Sequence, residues 1–82
     1  MTESKAQTAL ALSVVSVTKY LMEKYSVSHE EAYRKLTSTD FFEKLNDLET
    51  GLYLETTDYL CQACTIELER GTDAMYEFIN KE

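Results

Sequence analysis

The chain has 82 residues, enough for one small domain and too few for two. Its formal net charge is −7, its hydrophobic content 44%, and it carries two Gly and no Pro. These figures exclude a disordered acidic tail, a turn-rich all-β protein, a disulfide-stapled secreted scaffold and a basic nucleic-acid binder.

The charge is unevenly placed. In residues 1–41 five cations balance five acids, whereas residues 42–82 set ten acids against three cations and so carry the whole excess. Such a half is either a solvated acidic face or a surface complementary to a basic partner. Phosphates would be repelled, so no nucleic acid is expected. Met1-Thr2-Glu3-Ser4-Lys5 lacks a basic leader region, and the apolar stretch after it is interrupted by Ser13, Ser16, Thr18 and Lys19. Neither a signal peptide nor a membrane span is predicted, and the expected compartment is the cytoplasm.

The first predicted element is a helix over about residues 5–25, because Leu10, Val14, Val17, Leu21 and Tyr25 recur at steps of three and four. Seven of the nine residues from Ala9 to Val17 are apolar, more than one buried face requires. That surplus predicts either a central helix or a contact with another chain. Leu12 and Val15 are the interface candidates there. The valines lower helix propensity and leave a strand as the minor alternative.

A second helix begins at Ser28-His29-Glu30-Glu31, the pattern of a capping box in which Ser28 accepts from the Glu31 amide and Glu31 reaches back. Ala32, Tyr33 and Leu36 are expected to face inward. Thr37-Ser38-Thr39-Asp40 interrupts the pattern. A third helix follows over about residues 40–48, with Phe41, Phe42, Leu45 and Leu48 apolar, and Gly51 marks its end as a left-handed residue. Gly51–Glu55 reads as an extended connector or one short strand near residues 52–54, where Tyr53 is a further interface candidate. Thr57 is the expected cap of a fourth helix running to Arg70 and stopped by Gly71. Its inner face holds Leu60, Cys64 and Leu68, with Cys61 and Ala63 beside them. Thr72-Asp73 opens a last helix with Met75, Tyr76 and Ile79. The expected fold is all-α: one domain over residues 1–82, a small bundle of four to five short helices with at most one strand.

Chemistry-bearing motifs are few. Cys61-Gln62-Ala63-Cys64 is a C-x-x-C, but structural zinc takes four ligands and the one histidine, His29, is remote in sequence. As a dithiol it sits past the first-turn amides that stabilise a thiolate, with Asp58 nearby. Two small apolar side chains on a buried face account for the pair equally well. A metal or redox role of Cys61 and Cys64 stays open as the alternative. His29 reads as an exposed first-turn residue, and Glu30/Glu31 and Glu67/Glu69 as solvated charges. No nucleophile–base pair, P-loop or dinucleotide motif is present, so neither catalysis nor a cofactor is expected. The six tyrosines are expected mostly to bridge core and surface.

From Val27-Ser28-His29-Glu30-Glu31-Ala32-Tyr33 to Phe41-Phe42, and again at Glu49-Thr50-Gly51-Leu52-Tyr53-Leu54-Glu55, the chain resembles short uncharacterised bacterial helical proteins. Some of these are encoded beside toxin candidates, including ADP-ribosyltransferase-like ones. The resemblance implies an antitoxin-like or operon-companion role and brings no catalytic residues with it. The expected function is therefore non-enzymatic: an interaction protein that pairs with itself or with a more basic protein. The alternative is a thiol-based redox or metal sensor.

Overall fold

The first stretch of sequence holds no Gly or Pro, and it forms the longest helix, α1 (Thr2–Tyr25). The computed structural model describes residues 2–80, with side chains from residue 5 to residue 80. The apolar stripe does what its spacing predicts: Val17 and Leu21 are fully buried, while Leu10, Val14 and Tyr25 pack against the core from its edge. Thr18 is also buried, and its hydroxyl donates to the Val14 carbonyl at 2.7 Å, so no polar group is orphaned there. The helix ends where Ser26 turns left-handed at φ 55° and the Val27 amide bonds the Met22 carbonyl at 3.1 Å. That is a Schellman arrangement, with Ser where Gly is usual.

Helix α2 (His29–Thr37) starts at Ser28, whose hydroxyl accepts from the Glu31 amide at 3.2 Å. Only that half of the capping box forms. The Glu31 carboxylate turns instead to the Arg34 guanidinium at 3.0 Å. Ala32 and Leu36 are buried, but Tyr33 is 44% exposed and not inward as expected. On a nine-residue helix with its inner line at Ala32 and Leu36, Tyr33 sits about 80° off that line.

Thr39 joins α2 to α3 (Asp40–Asn46). Its hydroxyl donates to the Leu36 carbonyl at 2.6 Å and accepts from the Phe42 amide at 3.1 Å. Phe41 and Leu45 are buried, Phe42 is half-buried, and Leu48 lies outside the helix and is exposed. The strand considered near residues 52–54 is not formed. Two short 3-10 turns, Leu48–Thr50 and Leu52–Leu54, flank Gly51 at φ 70°. A lone strand had no partner to satisfy its backbone, whereas the turn closes Leu54 N–H onto the Gly51 carbonyl at 3.0 Å.

Helix α4 (Thr57–Arg70) is capped by Thr56, one residue earlier than expected, through the Tyr59 amide at 3.1 Å. Gly71, at φ 104°, stops it as predicted, and α5 (Thr72–Asn80) follows at once. Leu60, Cys61, Ala63 and Cys64 are buried along α4, and Met75 along α5. Helix α4 packs against α1, α3 and α5, while α2 packs on α1 and α3. The fold is all-α, with 87% of the described residues helical and no strand among them. No described helix is long and apolar enough to cross a membrane.

Candidate functional site

The surplus apolar surface of α1 is where the sequence places it. Leu12 is 63% exposed and Val15 53%, and their three-residue spacing sets them on one face. The buried stripe begins only at Val17, and residues 5–16 are half-buried at most. Lys5, Thr8, Ala9 and Leu12 border a shallow depression of about 340 Å³. A second, of about 350 Å³, lies between Lys5, Ala6 and Ala9 on one side and Tyr53 and Leu54 on the other. The two share Lys5 and Ala9 and form one apolar face.

Tyr53 does not project as an interface side chain. It is half-buried against the core and forms a wall of the second depression. The projecting residue is its neighbour Leu54, 74% exposed, which sequence reasoning missed. Strand geometry would put Leu52 and Leu54 on one side. A 3-10 turn advances 120° per residue, so Leu52 points into the core and Leu54 out. Single exposed apolar residues are ordinary, whereas a contiguous patch of them marks a binding surface.

The C-x-x-C pair lies elsewhere, on the inner face of α4. Both thiols are free and buried. Burial first, and the Asp58 carboxylate second, push the Cys61 thiol up to about 11. Burial pushes Cys64 up to about 12, with the charges of Glu67 and Cys61 adding to it. Reactivity belongs to the thiolate, so this environment suppresses it. Among the described residues no group of three or more His, Cys, Asp or Glu is placed to hold a metal ion. His29 is exposed, its ring parallel to that of Tyr33 at 6.5 Å between centroids.

Glu67 and Glu69, expected as solvated charges, are both engaged. The Glu67 carboxylate accepts from the Asp40 amide at 2.7 Å, the Phe41 amide at 2.8 Å and the Thr72 hydroxyl at 3.1 Å. It therefore caps α3 from α4, a favourable place for a negative charge. Glu69 accepts from the Tyr25 hydroxyl at 3.0 Å and lies 3.8 Å from the Lys24 ammonium. Burial and this carboxylate raise the Tyr25 phenol to about 12. Of the six tyrosines, Tyr25, Tyr53, Tyr59 and Tyr76 are half-buried, while Tyr20 and Tyr33 are exposed.

No protein family, curated protein or solved structure was found to match the chain.

Proposed function

We propose that the chain is a non-enzymatic interaction protein that pairs with a second copy of itself through the first half of α1, in an antitoxin-like or operon-companion role. The observation that carries this reading is the exposed apolar pair Leu12 and Val15 on α1, with Leu54 exposed at the depression that α1 shares with the second 3-10 turn. Helix α1 has 24 residues and is about 36 Å long at 1.5 Å per residue. Between Lys5 and Lys19 the sequence holds no charged residue, while the acidic excess lies wholly in residues 42–82. Two copies meeting along α1 bury apolar surface with no like charges opposed between Lys5 and Lys19. A more basic protein bound to the acidic half is compatible with the same arrangement.

Sedimentation equilibrium at tens of micromolar tests the pairing. The unmodified chain is expected to dimerise, and Leu12→Glu and Val15→Glu to give monomers with an unchanged helical spectrum, since both side chains already face water. A stable monomer of the unmodified chain at that concentration overturns self-pairing.

A further inference from the structure

A second concavity, chemically unlike the α1 face, lies where the end of α3, the 3-10 turns, the start of α4 and the end of α5 converge. Its volume is about 390 Å³, within the range of small-ligand sites. Leu52 and Ile79 supply an aliphatic surface, and the rings of Tyr59 and Tyr76 stand beside it. Both rings are held: Tyr59 packs on Phe78 at 5.1 Å between centroids, and the Tyr76 hydroxyl reaches the Asp40 carboxylate at 3.4 Å.

The charged groups of this cleft are its distinguishing feature. Lys44 is half-buried and makes no ion pair with any described acid, although the chain has an excess of seven acidic charges. Its ammonium lies instead 5.9 Å from the centre of the Tyr76 ring. Glu55 lines the same cleft and also has no ion-pair partner among the described residues. The two opposite charges therefore face one cavity without reaching each other. Asn80 also lines the cleft. The Thr50 hydroxyl, by contrast, is committed to the Lys44 and Asp47 carbonyls at 2.8 Å each.

We infer that this cleft binds a small zwitterion of the amino-acid type, with its carboxylate on Lys44, its ammonium on Glu55 and an apolar body between the tyrosine rings and Ile79. A ligand carrying both signs engages Lys44 and Glu55 together, whereas one of a single sign engages only one of them and an uncharged ligand neither. The inference is independent of self-pairing through α1, because none of these groups lies on that helix.

Phenylalanine is the probe, and backbone amide NMR shifts of the isotope-labelled chain are the readout. Saturable shifts are expected around Lys44, Glu55 and Ile79, with a dissociation constant on the order of 1 mM or below for a ligand this small. Phenethylamine, which lacks the carboxylate, and 3-phenylpropionate, which lacks the ammonium, should each bind at least tenfold more weakly. Lys44→Met and Glu55→Gln should weaken phenylalanine tenfold or more without changing the spectrum elsewhere. Absence of saturable shifts in the cleft at 10 mM phenylalanine overturns the inference. Equal binding of either singly charged analogue overturns the zwitterion assignment. Should Lys44→Met fail to fold, Glu55→Gln, at an exposed position, and the two analogues still decide the question.

Discussion

One carboxylate, that of Glu67, joins three helices: it stands on α4, accepts two amides at the start of α3 and receives the hydroxyl of Thr72 on α5. Hydrogen bonds to a charged acceptor are the stronger kind, so Glu67→Ala should cost roughly 2–3 kcal/mol. Glu67→Gln, which keeps one acceptor and loses the charge, should cost about half of that. Chemical denaturation measures both, and a loss within error for Glu67→Ala would mean that α3 is capped by Thr39 alone. The cysteines make the opposite case at this scale. With both thiols buried and raised well above neutral pH, they are protonated at pH 7. A disulfide reagent should label the native protein slowly and the denatured protein at once. Rapid, equal labelling of both thiols in the native state would restore the redox reading of Cys61 and Cys64.

At the scale of the element, the helix boundaries follow from cap chemistry and respond to it. Ser28 gives α2 its first acceptor, and Ser28→Ala should lower stability by about 1 kcal/mol. Two residues earlier the effect has the opposite sign. Ser26 holds φ 55° to end α1, a conformation in which a Cβ is strained and Gly is not. Ser26→Gly should therefore stabilise the protein, by up to about 1 kcal/mol, raising the thermal midpoint by roughly 4–8 °C for each kcal/mol gained. A lower midpoint would show that the Ser26 side chain contributes something besides tolerating the turn. These boundaries were legible in the sequence because a cap is a local event among residues three or four apart. The cap of α3 by Glu67 was not, since its donor and acceptor lie 26 and 27 residues apart.

For the whole molecule, four groups among the described residues, Cys61, Cys64, Tyr25 and Tyr76, bind their protons more tightly folded than unfolded. The thiols of Cys61 and Cys64 rise from 9.0 to about 11 and about 12, and the Tyr25 phenol from 10.0 to about 12. A raised folded-state value means that the native state holds the proton after the unfolded chain has released it. The contribution is therefore complete below pH 9 and is lost as pH rises through 11–12. The thermal midpoint should fall steadily above pH 9, and the slope should flatten in the Cys61→Ala, Cys64→Ala double variant. A midpoint level from pH 8 to 11 would show that alkaline ionisation of these groups does not oppose folding. The third helix, expected to run on toward Gly51, ends at Asn46, and Gly51 closes the 3-10 turn after it. The sequence by itself determined the helical class, the five segments, the stop at Gly71 and the apolar surplus at Leu12 and Val15. Each of these rests on spacing within a few residues, where backbone geometry alone sets which side chains share a face. Only the tertiary structure decided that Leu52–Leu54 coils into a turn and expels Leu54, that Tyr33 stays outside, and that Glu67 serves α3 rather than solvent. Those outcomes depend on which elements meet, and a turn, an exposed ring or a distant cap is selected by the neighbour that packing supplies.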